Sequence, residues 1–194
     1  MTEASDQVEL LAVANSLPWL PAEPIGSFRR SHYPTAHLLE PHLTVVFPVP
    51  ATIGGDAFRA HVREVVSRTR AFDIRLRGLD KSWDHWLFLA VEEGREEVIA
   101  LHDALYTGVL QPFLWTEQPY VPHVGLGHFA EEQDTRDPLA LRPRAFDRAR
   151  FDEARQEAEA LRLDYTGRFD SVHIFGLDEE LTHISQLEEV PLRR

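Results

Sequence analysis

The segment Pro41-His42-Leu43-Thr44-Val45-Val46-Phe47-Pro48 decides the fold, together with a second copy, Pro122-His123-Val124-Gly125-Leu126-Gly127-His128-Phe129. Each copy opens with a proline and a histidine and continues with the alternation that is typical of a buried strand. Successive side chains of a strand point to opposite faces. We therefore expect each histidine to share a strand face with the residue two positions later.

Strand parity assigns both faces of the first copy. His42 and Thr44 are predicted to share one face with Val46. The other face is predicted to hold Leu43, Val45 and Phe47.

In the second copy, His123 and Gly125 take the equivalent face. Two strands that present one imidazole each to the same side indicate a paired acid/base site. The prediction of function depends on that pair. His128 falls on the opposite face from His123 unless a bulge intervenes, which favours a structural role for it.

Size and composition are those of a folded protein. The chain has 194 residues, 43% of them apolar, and four tryptophans, which is enough for a sizeable core. The sequence contains no apolar run of about 18 residues, so we expect no membrane-spanning helix. Cysteine is absent, which excludes disulfides and thiolate metal sites. The acidic N-terminus lacks the features of a signal peptide, so we expect a cytoplasmic location. Nothing in the sequence indicates a protein partner.

The net charge of −12 argues against a large non-specific nucleic-acid surface, because phosphate binding depends on clustered cations. A small site with a few local cations stays open. The candidates for such a patch are Arg29, Arg30, Arg136, Arg142 and Arg144. The alternative is that these arginines are scattered and solvated.

Hydrophobic periodicity predicts a mixture of strands and helices, hence the α+β class. Besides the two histidine strands, strands are predicted near Val8–Ala14, Phe72–Asp80, Trp86–Val91, Phe169–Asp178 and Thr182–Leu187. Helices are predicted near 56–69, 96–110 and 145–161.

The two halves of the chain form a weak internal repeat. In each half a Pro-His strand precedes a helix, then a strand that starts Phe-Asp and ends Gly-Leu-Asp, then a further strand that follows a histidine. The Phe-Asp strands begin at Phe72 and Phe169, and the late histidines are His85 and His183. A duplicated α+β unit accounts for this order, and it relates the two Pro-His strands by a pseudo-twofold axis.

With both histidine strands and the repeat, the chain resembles the 2H phosphoesterase superfamily. It is most similar to the branch called 2′-5′ RNA ligase-like or RNA 2′,3′-cyclic phosphodiesterase, whose motif is His-x-Thr/Ser-x, twice. His42-Leu43-Thr44-Val45 is a full match, whereas Gly125 replaces the hydroxyl residue of the second motif. The resemblance implies two pseudo-symmetric lobes, each an antiparallel sheet with outer helices, flanking a central cleft. We expect residues 1–194 to form one such bilobal domain, with about the first seven residues disordered.

The resemblance also implies an activity. His42 and His123 would act as general acid and base, without metal or cofactor, on a 2′,3′-cyclic phosphate or related phosphodiester of an RNA end or small nucleotide. An imidazole suits either role because its ordinary pKa is about 6.5. The predicted substrate-binding residues are Thr44, whose hydroxyl would bond a phosphate oxygen, Gly125, Tyr120 as a base-stacking ring, and Arg30. For Tyr120, buried aromatic packing is the alternative and the more common use of such a ring.

Gly125 keeps a second interpretation open. Losing the hydrogen bond that a hydroxyl at this position would make to a charged group costs about 1.5–3 kcal/mol. The alternative is therefore a weakened family member that binds RNA or nucleotide without turnover. A third interpretation is a metal-dependent hydrolase in which His32 and His37 join His42 as ligands.

Overall fold

The computed structural model describes residues 8–33, 35–130 and 145–194. In these ranges the chain forms eight strands and four α-helices. The strands are β1 (Leu10–Asn15), β2 (Leu43–Pro50), β3 (Phe72–Lys81), β4 (Trp86–Glu93), β5 (His123–His128), β6 (Asp164–Phe169), β7 (Ser171–Leu177) and β8 (Ile184–Pro191). The helices are α1 (Ile25–His32), α2 (Gly55–Val66), α3 (Arg95–Leu105) and α4 (Arg148–Ala160), with short 3-10 helices at Ala51–Ile53 and Gly108–Phe113.

All eight strands belong to one antiparallel sheet, in the order β6-β3-β4-β5-β2-β1-β7-β8. Four strands lie on each side of the boundary between β5 and β2, so each lobe contributes half of a continuous sheet. The two halves meet at the pair Leu43 and Val124. The α+β class and the antiparallel two-lobed arrangement predicted from the sequence are confirmed.

The places of β3 and β7 in the sheet agree with the internal repeat, whereas the places of their hairpin partners do not. Counted outward from the boundary, β3 and β7 both hold the third place, as the repeat predicts. Their hairpin partners differ, since β4 lies on the inner side of β3 and β8 lies on the outer side of β7. The inner place beside β2 is taken by β1. Sequence order does not determine on which side of a strand its hairpin partner pairs.

One strand was not predicted. The sequence predicts a single strand over Phe169–Asp178, but one strand ends at Phe169 and a new strand begins at Ser171. The preceding residues form β6, which pairs with β3. The carbonyl of Asp170 accepts a hydrogen bond from the N–H of Leu192 at 2.7 Å.

The sheet curls strongly. Trp19, four residues beyond the end of β1, packs flat against Gly167 of the edge strand β6, where an added Cβ would lie only 2.0 Å from the indole. The two residues can meet only if the sheet bends back on itself. The apolar stripes of α2 and α3, which include Phe58, Val62 and Leu101, fill the main core.

No helix in the described part of the chain is long and apolar enough to cross a membrane. Two predictions concern residues outside the described ranges. They are the disorder of the first seven residues and the cation patch that includes Arg136, Arg142 and Arg144.

Candidate active site

The candidate site lies where the two halves of the sheet meet. Leu43 and Val124 pair across β2 and β5, and both side chains are completely buried on the core face. Their neighbours therefore point to the opposite face. By the antiparallel register, His42 lies across from Gly125, and Thr44 lies across from His123.

The two histidines occupy diagonal positions about the Leu43–Val124 pair. Diagonal neighbours on adjacent antiparallel strands are separated by about 7–8 Å, which leaves room for a phosphate group between two imidazoles. Both side chains are half-buried. The convergence that the repeat predicts is therefore present in the geometry.

Each histidine strand carries a bulge three residues after its histidine. On β2, Ala14 pairs with Thr44 and Val13 with Val46, so Val45 is the extra residue. On β5, the pairs formed by Phe88 and Leu87 of β4 leave Leu126 as the extra residue. Matching bulges at equivalent positions are strong evidence for the pseudo-twofold relationship.

The bulges overturn two predictions from strand parity. Beyond Val45 the alternation is reversed, so Val46 is completely buried in the core and Phe47 is 47% exposed, the opposite of the prediction. Beyond Leu126, His128 returns to the same face as His123, and its ring lies 4.7 Å from that of Trp86. An extra residue in one strand shifts the side chains after it by one place, and on β2 a second irregularity between Val46 and Val49 shifts them back.

A carbonyl group orients each imidazole. Nδ1 of His42 lies 2.8 Å from the carbonyl oxygen of Glu40, and Nδ1 of His123 lies 2.7 Å from that of Val121. A carbonyl only accepts hydrogen bonds, so Nδ1 carries the proton in both rings. Nε2 is then the nitrogen that gains and loses a proton in each ring.

Burial lowers the pKa of both histidines because it penalises the charged ring. The pKa of His42 falls to about 4, with burial as the main cause and the positive charge of Arg29 and the ring of His123 as further ones. The pKa of His123 is also lowered by burial, against which the carboxylate of Asp84 acts. Both rings are therefore neutral near pH 7 in the free protein.

Three side chains hold β2 immediately beyond Thr44. The hydroxyl of Tyr120 donates to the carbonyl of Thr44 at 2.6 Å, and Nδ1 of His102 donates to the carbonyl of Val45 at 3.0 Å. The N–H of Phe47 donates to the hydroxyl of Tyr106 at 3.1 Å. These bonds fix the bulge and with it the backbone that carries Thr44.

Of the two uses that the sequence leaves open for Tyr120, the structure shows packing. Its ring stacks on His102, with centroids 3.8 Å apart, and forms a T-shaped pair with Phe47. With one face on His102 and its hydroxyl on Thr44, Tyr120 is placed to position β2.

Aromatic side chains line the other half of the cleft. Phe88 lies 4.6 Å from the ring of His123. Trp86, on the same face of β4, covers Gly125, where an added Cβ would lie 3.4 Å from Cε3 of the indole. Tyr33 forms a T-shaped pair with Trp86, with ring centroids 4.8 Å apart. These rings were not predicted as site residues, because their position depends on the register between β4 and β5.

The structure does not bring Arg30 to the histidines. Its exposed guanidinium bonds Glu23 at 2.6 Å and the hydroxyl of Ser27 at 2.9 Å. The preceding residue, Arg29, is buried and lies close enough to His42 to affect its charge. Helical spacing from Ile25 and Phe28 is the signal in the sequence that would have separated the two arginines.

The remaining histidines do not join the pair as a metal site. His32 bonds the carboxylate of Glu157 at 2.9 Å and lies against Phe28, and His37 is exposed. Within residues 8–33, 35–130 and 145–194, no three His, Cys, Asp or Glu side chains are grouped so that they could hold a metal ion. The three-histidine set suggested by the sequence is not formed.

Solved structures share this fold. E. coli LigT complexed with 3′-AMP aligns with a TM-score of 0.60 and 17% identity, over 96% of this chain and 99% of LigT. TT0787 of Thermus thermophilus aligns with a TM-score of 0.57 and 16% identity, over 95% of this chain and 98% of TT0787. Kluyveromyces marxianus Usb1 aligns with a TM-score of 0.53 and 12% identity, over 96% of this chain and 99% of Usb1.

The family comparison covers most of the chain. No curated protein matches the sequence. The model of the 2′-5′ RNA ligase superfamily matches residues 17–178, a range that includes both histidine strands as well as Trp86, Phe88 and Tyr120. The chain belongs to the 2′-5′ RNA ligase superfamily.

Proposed function

We propose that this protein is a metal-independent phosphoesterase that opens a 2′,3′-cyclic phosphate, or a related phosphodiester, at an RNA end or on a small nucleotide. The observation that carries the proposal is the symmetric histidine pair. Both imidazoles face one cleft, and each is held through Nδ1 by the carbonyl two residues before it, so that both present Nε2.

The reaction that suits this pair is in-line hydrolysis. Nε2 of one histidine takes a proton from water as the water oxygen attacks phosphorus. Nε2–H of the other gives its proton to the departing ribose oxygen as the phosphorus–oxygen bond breaks. The product is a phosphate monoester, and the same two roles in reverse would serve ligation.

Acid catalysis requires one of the two rings to be protonated, although burial keeps both neutral in the free protein. A bound phosphodiester brings a negative charge between the rings, and a nearby negative charge raises the pKa of an imidazole. Substrate binding would therefore supply the acid. Of the two, His123 is the better candidate, because Asp84 favours its charged form while Arg29 disfavours that of His42.

Thr44 would bond a non-bridging phosphate oxygen through its hydroxyl. It lies across from His123 on the cleft face, and Tyr120 fixes its backbone. The opposite corner, across from His42, holds Gly125, which has no side-chain donor. The proposed site is thus symmetric in its histidines and asymmetric in its hydroxyl groups.

Family membership supports a phosphoesterase or RNA-processing role. Structures of E. coli LigT have been solved with 3′-AMP, NADP+, phosphate and ATP. Because this chain covers nearly the whole of LigT with the same fold, we propose that its own cleft also takes nucleotides or nucleotide-like ends.

The test is hydrolysis of 2′,3′-cyclic nucleotides and of a short RNA with a cyclic phosphate end, in EDTA. We expect turnover by the wild type and a loss of about 10²- to 10⁴-fold in His42→Ala and in His123→Ala. His61→Ala is the matched control, since that ring bonds the carbonyl of Leu105 at 2.8 Å and lies outside the cleft. Activity abolished by EDTA, or retained by either cleft variant, would overturn the proposal.

A second candidate function is binding without turnover, and Gly125 is the observation that favours it. Trp86 covers the position where the hydroxyl residue of the motif would project. Tight binding of a cyclic nucleotide or RNA end by the wild type, with no hydrolysis of either, would support this alternative.

A further inference from the structure

Arg29 is a cation buried on α1, and only 2% of the residue is exposed. One terminal nitrogen donates to the carbonyl of Leu39 at 3.0 Å. Among the described residues, its buried Nε meets no hydrogen-bond partner and no carboxylate forms an ion pair with it. A buried guanidinium is costly unless something neutralises it.

The guanidinium lies on the His42 side of the cleft. Its bond goes to the carbonyl of Leu39, next along the chain to the carbonyl of Glu40 that orients His42. It also lies over the ring of Tyr33, 5.2 Å from the centroid. Tyr33 in turn packs on Trp86, which covers Gly125. Tyr33 therefore lies between Arg29 and Trp86, the ring that packs on Gly125.

The chemistry of this group matches a phosphate oxygen. Guanidinium groups bind phosphate through charge-assisted hydrogen bonds that are stronger than those from a hydroxyl group. Burial strengthens that interaction, because little water competes for either partner. An incoming phosphodiester would supply a counter-charge for this buried cation.

We propose that Arg29 binds the phosphate group of the substrate beside His42, and so replaces the hydroxyl donor that Gly125 lacks. The inference rests on the proposed function and names a residue for it. Thr44 then holds the phosphate at one corner of the cleft and Arg29 at the other. In the second motif, the hydroxyl donor that Gly125 lacks would then be replaced by the guanidinium of Arg29.

The charges around Arg29 agree with this role. Burial is the largest influence on it and lowers its pKa, and the titratable groups that act on it are Tyr33 and Glu40. Arg29 in turn acts on His42, together with His123. Its positive charge helps to keep His42 neutral, the state that a general base needs before substrate binds.

The test compares Arg29→Gln with Arg30→Gln, a neighbouring arginine that is exposed and paired with Glu23. We expect Arg29→Gln to lower kcat/KM for a 2′,3′-cyclic nucleotide by about ten- to a hundredfold. Arg30→Gln should retain the wild-type value. The pKa of His42, followed by NMR, should rise in Arg29→Gln and stay unchanged in Arg30→Gln.

A second measurement needs no variant that might fail to fold. Inorganic phosphate is titrated into wild-type protein while the Nε–Hε resonance of Arg29 is followed by NMR. The inference predicts a saturable shift of that resonance, and Arg29→Lys, which keeps the charge, should retain part of the activity.

The outcomes separate the inference from the proposed function. Wild-type turnover with no phosphate-dependent shift of Arg29, or with full activity in Arg29→Gln, overturns the role of Arg29 alone. A wild type that neither turns over cyclic nucleotides nor binds phosphate overturns both. Loss of activity in Arg29→Gln together with the shift in the wild type supports the inference.

Discussion

Trp86 packs on Gly125: a Cβ atom added to the glycine would make an ordinary van der Waals contact with Cε3 of the indole, at 3.4 Å, and any larger side chain would have the ring beside it. The backbone of Gly125 is not among those with positive φ, so its conformation would accept any side chain. The constraint at this position therefore comes from the tryptophan. A hydroxyl residue introduced at Gly125 would have to fit beside the Trp86 ring.

We predict that Gly125→Thr alone does not increase kcat/KM, because the branched side chain meets the indole before its hydroxyl group can reach a phosphate. Gly125→Thr made in a Trp86→Ala background should raise kcat/KM about tenfold or more over Trp86→Ala alone, the worth of one hydrogen bond to a charged group. Steady-state kinetics of the four proteins checks this.

Gly125→Ala is the control for that series. Its single methyl group makes an ordinary contact with Trp86, so its melting temperature should stay near that of the wild type. An immediate gain of activity in Gly125→Thr would show that the ring does not block the site.

The two interpretations of Tyr120 predict different results for Tyr120→Phe. Phenylalanine keeps the ring but loses the hydrogen bond to the carbonyl of Thr44. We expect a loss of about 1 kcal/mol in the free energy of unfolding, and a several-fold lower kcat with little change in KM. Denaturant unfolding and steady-state kinetics measure both.

A ring that stacks on the base of the substrate would behave in the opposite way. In that case Tyr120→Phe would match the wild type, and Tyr120→Leu would raise KM selectively.

The lowered pKa of His42 predicts acid-sensitive stability. An unfolded histidine has a pKa near 6.5, whereas that of His42 in the folded protein is about 4. As the pH falls from 6.5 toward 4, the unfolded chain binds the proton first, so stability that is present above this window is lost within it.

His42→Gln removes this contribution. Between pH 7 and pH 5, the wild type should lose about 2 kcal/mol more unfolding free energy than His42→Gln. Urea unfolding at the two pH values measures the difference. Equal losses in the two proteins would show that His42 is not held neutral by burial.

Trp86 also predicts an optical signal. It is the tryptophan on the cleft face of β4, next to Gly125. Nucleotide binding should change the intrinsic fluorescence, and Trp86→Phe should abolish that change. Trp83→Phe is the matched control, because Trp83 lies between β3 and β4, packs against Trp115 and is 42% exposed. A signal that disappears with Trp83 would locate binding elsewhere.

Sequence reasoning placed His42 and His123 on one face of neighbouring strands, and the register at Leu43 and Val124 agrees with that placement. The Pro-His repeat and strand parity were enough to expect that His42 and His123 converge, because both are local properties of two strands. The fold class followed from the same pattern, and Leu43 and Val124 are buried on the core face as expected.

What the sequence did not predict depends on pairing between strands. The bulges at Val45 and Leu126 reverse the alternation beyond them, which moved Phe47 to the surface and His128 to the cleft face. An extra residue is visible only when both strands of a ladder are known. Trp86 was missed for the same reason.

Arg29 is a different case. It follows Ile25 and Phe28 at helical spacing, so the period of the helix would have placed it on the buried side and Arg30 on the exposed side. The sequence from Phe28 to about His37 is compatible with a loop as well as with a short helix, and without a definite helix the two neighbouring arginines cannot be distinguished.

The most direct test of the histidine pair is a double-mutant cycle on the hydrolysis of a 2′,3′-cyclic nucleotide. Wild type, His42→Ala, His123→Ala and the double variant are assayed in EDTA. Groups that act as one unit give non-additive losses, so the account predicts that the double variant is no slower than the slower single variant. Losses that multiply, or one single variant with wild-type activity, would contradict a shared acid/base mechanism.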